Sequence, residues 1–523
     1  MMSVGSLNHL SKLLAPSVCL TLLAACAPIG PPDTSSDSSW QSPISLKSIG
    51  SSHSSAVGNQ DVRHEMGTAG FYTARAVAKY RQKDYAGSVD DASRAIALSP
   101  EVPIAYTTRA TVRLQMGDNT GAIRDASESL RLNPHHADTY VIRAVAKYNL
   151  KDYAGSVNDT TEAIRLSPTS VLAYANRAGT KRKMGNPQGA LEDLAQMIAL
   201  APNNAWAYLL RGAVHVDVGA WKDALDDYNR VMALQSPDAD VLTNRSNVKI
   251  QLGDVHGARH DADAALAYDP QHAEAYVNRG WAKLLQDDVN GAVTDLSEAL
   301  QYNPSLTAAY VLRAEAHIKA RQLDAAVKDL SQAISLGEDN ARTYFARGKT
   351  RISLGDLSEA IHDYSDAIRL APQDPIVYAN RGWAKFLLED AQGALDDLAR
   401  AIELSPNYEY AYAARGRVEL TLRKYQAVLD DTTRAVSIAP RYAEPYLLRG
   451  LAKLETGDLI GALTDTSISI TLDTTNAEAY LARGLVYLAL NEPNNARYDF
   501  SKAGEISPRL LEEIRGRQTE KET

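Results

Sequence analysis

Small and apolar residues recur along this chain in paired helical stripes. The pair repeats every 34 residues, thirteen times, without insertion or deletion. The stretch 275–303 shows one copy. Tyr276, Gly280 and Leu284 fall at helical spacing; Asp287, Asp288 and Asn290 supply turn chemistry; Ala292, Leu296, Ala299 and Leu300 form a second stripe. Prolines close most units, from Pro100, Pro134 and Pro168 to Pro440 and Pro508, and Ser236, Glu338 and Thr474 stand where proline is missing. Proline cannot continue a helix, so each one restarts the chain. The pattern predicts about twenty-six short antiparallel helices and no strands. A hairpin of this kind buries its apolar face only against its neighbours, so an all-α solenoid is expected, as one continuous body.

Twelve units carry Tyr at the position of Tyr276, with Leu242 the exception, and all thirteen carry Gly, Ala or Ser at the position of Gly280. An aromatic at repeat position 4, a small residue at 8, Ala at 20 and 27 and Pro at 32 resemble the tetratricopeptide repeat family over residues 69–508. The resemblance implies a right-handed superhelix of helical hairpins whose concave groove binds segments of other proteins.

Position 7 departs from the family pattern: every unit has Arg there, from Arg75 to Arg483. Sixteen residues later every unit has Asp, from Asp91 to Asp499. Arg279 with Asp295 and Arg313 with Asp329 are typical. Four residues after the Arg most units add a further base, such as Lys79 or Lys283, the exceptions being Glu419 and Tyr487. Two readings exist, a row of ligand-binding charges or an internal ion-pair ladder. The second is expected, because a ligand rarely needs one contact at every unit. Such pairs lock register even where their net stabilisation is small.

The chain opens differently. Residues 1–25 read as a signal segment, with Lys12 ahead of an apolar run from Leu13 to Leu23 that is too short to be a permanent membrane anchor. Leu23-Ala24-Ala25-Cys26 resembles a bacterial lipobox, which implies cleavage before Cys26 and acylation of its thiol. Ala27 follows rather than aspartate, which by the same resemblance implies the outer membrane if the cell has one. The only other cysteine is Cys19, so the mature chain can form no internal disulfide. Residues 26–68 are rich in Ser and Pro and read as a mobile tether, and 509–523 as a cap and tail.

Composition narrows the function. Net charge is −9 over 523 residues with both signs interleaved, and no basic run suggests nucleic acid. No phosphate loop, nucleophile elbow or metal-spaced cysteine pair is present. His256 and His260 lie four apart without a third ligand and read as surface histidines. No enzyme activity and no cofactor are expected. By the family resemblance, positions 2, 5, 6, 9, 12 and 13 of the first helix line the groove. Position 6 carries Asn176, Asn244, Asn278 and Asn380; position 9 carries Asn247, Trp281 and Trp383; position 2 carries Trp206. An exposed Asn can donate to and accept from a peptide backbone, and Trp is favoured at binding hot spots. The alternatives are solvated amides and indoles packed against the next unit. The expected function is a lipid-anchored extracytoplasmic scaffold binding proteins or extended peptides. It would meet the membrane through its N-terminal lipid, and its groove residues would cluster in repeats 7 to 10. The alternative is a structural spacer or adhesive array. Oligomeric state is not legible.

Overall fold

The computed structural model describes residues 68–508. The signal segment, Cys26, the tether and the stretch after 508 lie outside the described residues. Among those described there are twenty-six α-helices, from Ala69–Arg81 to Pro493–Ile506, and no strand. They pair into thirteen hairpins at the predicted period. The described residues group into two compact units, 68–303 and 304–508. This differs from the single body expected. Periodicity reports which face of a helix is buried, not how tightly successive hairpins cluster, and the 34-residue phase runs through residue 303 unchanged.

Within each unit the core is built from consecutive helices. Ala175 and Ala178 of one helix meet Ala190, Leu194 and Met197 of its hairpin partner and Ala207, Leu210 and Val214 of the helix that follows. The small residue at position 8 has a steric cause. A β-carbon added at Gly280 would lie 2.8 Å from Leu296, and at Gly484 it would lie 2.5 Å from Phe500.

The turn inside each hairpin is equally regular. The residue fifteen into every repeat has positive φ: six are glycines, such as Gly117 and Gly253, and seven are not, including Lys83, Asp287 and Arg423. Each non-glycine left-handed residue costs on the order of 1 kcal/mol, which packing on both sides must offset. The second helix then starts on a cap. In eight repeats an Asp or Asn accepts a hydrogen bond from the backbone of a glycine three residues on, as Asp288 does from Gly291 at 3.0 Å. In the five repeats where that residue is not glycine, no side-chain cap forms, even with Asp356 in place. A β-carbon at Gly291 would sit 2.3 Å from the Asp288 carboxylate, so the cap requires the glycine.

The ion-pair ladder is present in full. All thirteen Arg residues bind the Asp of their own hairpin at 2.6–2.8 Å. Arg279 uses Nε and Nη2 on the two oxygens of Asp295, both at 2.8 Å. The fork geometry is the reason for Arg here: two parallel bonds fix both distance and orientation. In twelve repeats the guanidinium also lies 5.1–5.8 Å from the ring of the position-4 Tyr. The thirteenth, Arg245, follows Leu242. The remaining Nη1 reaches back to the preceding repeat, to Ser93 from Arg109, Ser127 from Arg143, Asp263 from Arg279 and Ser365 from Arg381. Where that preceding residue is Ala, at Ala195 and Ala399, it offers no acceptor. One side chain therefore ties its own hairpin and the hairpin before it.

The buried Asp takes a second cation or histidine in eleven repeats, for example Lys283 on Asp295 at 2.7 Å. Hydrogen bonds from Arg75 lower the Asp91 carboxyl to about 2. Repeat 11 breaks the pattern. Glu419 stands where the others carry a base, half-buried, with one carboxyl oxygen buried and unpartnered. Burial and the adjacent Asp431 push its carboxyl up to about 7, while Arg415 and Lys424 pull it down and Asp430 adds to the rise.

Two outcomes follow from the ladder. Asp295→Ala should destabilise repeat 7 by about 3 kcal/mol, the low end for stranding a buried ion-pair partner, because Arg279 keeps a path to solvent. Amide hydrogen exchange across 273–302 would show it, and unchanged protection there would contradict the ladder's role. Glu419 has the opposite sign to Asp91. Its folded value lies above the ordinary 4.5, so its contribution is complete below about pH 4.5 and is lost as pH rises through about 7. Glu419→Gln should flatten the melting temperature of the 304–508 unit between pH 5 and 8. Identical pH profiles for the two proteins would refute this.

Candidate functional site

With position 7 committed to the ladder, the remaining first-helix positions are the candidates for binding. The structure divides the predicted groove residues. Asn278 and Trp281 are buried, 4% and 7% exposed. The Asn278 amide donates to the Thr243 carbonyl of the preceding repeat at 2.9 Å. Asn176 is buried too and donates to the Leu172 carbonyl one turn back at 2.8 Å. These are corrections: the amides of Asn278 and Asn176 are spent on helix carbonyls, and the Trp281 indole is packing. Asn380 makes the same one-turn bond, to the Ile376 carbonyl at 2.8 Å, but stays half-buried. Asn244 and Asn247 are half-buried. Trp206 lies half-buried against the core formed by Leu194, Met197 and Leu210.

Trp383 is placed differently. It is half-buried, with its ring 5.4 Å from that of Phe386, and it forms one wall of a recess in the 304–508 unit. Tyr410 and Tyr442 form other walls, Ala413 and Ala414 line the interior, and Arg417 and Glu444 complete it. Trp383 and Arg417 are at position 9 of consecutive repeats, Tyr410 and Glu444 at position 2, and Ala413 and Ala414 at positions 5 and 6. All are positions that the family resemblance assigns to the groove. Tyr442, the last residue of repeat 11, is the exception.

Behind this recess lies a buried charge cluster. Arg417, 7% exposed, donates from Nε to Glu444 at 3.0 Å and from Nη1 to Glu478 at 2.6 Å, with Nη2 shared between the two glutamates. Burial opposes the Arg417 charge, and Glu444 and Glu478 hold it raised. Burial also pushes the Glu478 carboxyl up, against the pull of Arg417. The three residues come from three successive repeats, so the cluster staples repeats 11, 12 and 13.

Reading position 9 for Asn and Trp alone missed Arg417. The available signal was a lone Arg at a position held by Trp one repeat earlier, with Glu 27 and 61 residues downstream. His256 and His260 hold no joint site: His256 pairs with Gln286 at 3.2 Å and the His260 side chain is 84% exposed. Among the described residues no group of three potential metal ligands occurs, and no helix is long and apolar enough to cross a membrane.

The tetratricopeptide repeat family model matches residues 107–171, 243–306 and 345–409. Several solved structures are similar. The Cut9–Hcn1 complex of the APC/C is 14% identical over 80% of this chain and 96% of that one, with a TM-score of 0.42. MamA from Desulfovibrio magneticus is 24% identical over 32% and 95%, with a TM-score of 0.29. YrrB, described as a TPR protein with an unusual peptide-binding site, is 19% identical over 36% and 97%, with a TM-score of 0.29. No curated protein matches the sequence. The hairpins matched at 107–171, 243–306 and 345–409 are tetratricopeptide repeats, set in an all-α helical solenoid.

Proposed function

We propose that this chain is a scaffold that binds extended segments of other proteins, held to a bacterial envelope membrane by a lipid on Cys26. The observation that carries the binding reading is the recess at Trp383. Groove positions of repeats 10, 11 and 12 converge there on three half-buried aromatic side chains, a surface against which a peptide could pack. Tetratricopeptide repeats are suited to protein–protein interaction, since each repeat adds a similar surface element along one face. The anchor rests on Leu23-Ala24-Ala25-Cys26. Two or more acyl chains would hold the protein stably, whereas one gives only marginal attachment. The tether would let the array stand off the membrane, in the outer membrane if the cell has one, where assembly or secretion of envelope proteins would supply partners.

Two experiments address this reading. Short random peptides panned against the chain should yield binders, and Trp383→Ala should weaken them roughly tenfold or more while helicity holds. Trp281→Ala should instead lower stability, by about 3–5 kcal/mol, because it empties a buried site. Equal affinity of wild type and Trp383→Ala would refute the groove assignment. Labelled fatty acid fed to the producing cells should mark the wild type and not Cys26→Ser; equal labelling would rule out the anchor.

A further inference from the structure

We infer that repeats 8 to 10 read an extended peptide by charge order: a basic side chain opposite Glu315, an acidic one opposite Lys349 and an apolar one against Trp383. This rests on the groove reading above and adds the chemistry of the occupant.

The first support is unspent charge. Glu315, Lys349 and Trp383 hold position 9 of three successive repeats, all within the 304–508 unit and all half-buried. Equivalent residues of successive hairpins fall on one face, so the three form a row. Elsewhere position 9 carries no charge except at Arg417, which is spent on Glu444 and Glu478. Among the described residues, the side chains of Glu315 and Lys349 have no hydrogen-bond or ion-pair partner. Burial pushes the Glu315 carboxyl up, against the pull of Lys319 one turn on. Charges held partly out of water gain more from an opposite charge than fully solvated ones do.

The second support is what stands beside each of the three. Arg342 and Phe345 precede Lys349 by two turns and one turn on the same helix face. Arg342 is exposed, so an acidic residue at repeat 9 meets two cations. In repeat 8, Glu315 is the only charge at positions 2, 5, 6 and 9, and it selects a base. Repeat 10 has Ile376, Ala379, Asn380 and Trp383 at those positions, none of them charged. Ile376 is 40% exposed and Phe386 backs the Trp383 ring, so an apolar side chain packs across them without entering the recess. Packed helices lie about 10 Å apart and extended chain advances about 3.3 Å per residue, so about three residues separate contacts with successive repeats.

The test uses the full chain and fluorescent peptides with lysine, glutamate and tryptophan spaced three residues apart, in that order, on an alanine and glutamine background. Both chain directions are made. One direction should bind, and exchanging its lysine and glutamate should weaken it roughly tenfold or more, because like charges then face each other. The double variant Glu315→Lys with Lys349→Glu should reverse the preference and favour the exchanged peptide. Asp396→Lys with Lys328→Glu makes the same charge changes at exposed residues of second helices, and should alter affinity less than about twofold, the scale of screened surface charge. Helicity is measured alongside. If the double variant loses helicity, Glu315→Gln and Lys349→Gln carry the test. The first should erase the preference for lysine over glutamine at its place on the peptide, and the second the preference for glutamate over glutamine. Equal binding of original and exchanged peptides to the wild type would overturn the charge order, and if Trp383→Ala still weakens both, the groove reading stands. An unreversed preference in a folded double variant would overturn the order too. No binding by these peptides, with panned peptides still bound through Trp383, would overturn the order alone; no binding by either set would count against both readings.

Discussion

Every described hairpin is closed by a buried carboxylate held in the fork of an arginine. The Asp side chain is between 1 and 9% exposed in all thirteen repeats. Burying a charge is costly, and its removal would leave the partner stranded. That gives the ladder a specifying role rather than a large net stabilising one. Nε and Nη2 fix the pairing of the two helices within a repeat, and Nη1 fixes the repeat against the one before it. The tyrosine under the guanidinium and the second base on the carboxylate complete the same node. Small core residues such as Ala178, Ala190 and Ala207 bury little area each. A polar node that sets geometry complements a core that has few large side chains to set it.

The ladder also decides where function can lie. It consumes position 7 and four further residues of the hairpin, leaving positions 2, 5, 6 and 9 to carry variation. Repeat 11 uses this freedom most. It has Glu419 in place of the second base, no side-chain cap on its second helix, and Ala399 where most arginines find an acceptor in the preceding repeat. Arg417 instead reaches into the next two repeats. The local ties of repeat 11 are thus weaker than elsewhere and its longer-range tie is stronger. The Trp383 recess lies beside that exchange.

The period, the hairpins, the turns and the ladder were all readable from the chain, because each depends on residues at fixed spacing. Arg at position 7 and Asp sixteen residues later needed only the helical geometry of one repeat to become a pair. The dependence of the cap on glycine was readable in principle, since Gly87, Gly121 and Gly291 recur at one position. Tertiary structure decided what spacing cannot encode. Asn278 with Trp281 and Asn380 with Trp383 have the same sequence pattern, yet the first pair is buried and the second half-buried, because exposure depends on the side chains of neighbouring repeats. The Arg417 cluster joins residues 27 and 61 apart, and only the stacking of three repeats brings them together. The division at residue 303 was invisible for the same reason: a repeating sequence states what each hairpin buries, while the packing between hairpins decides how the array is partitioned.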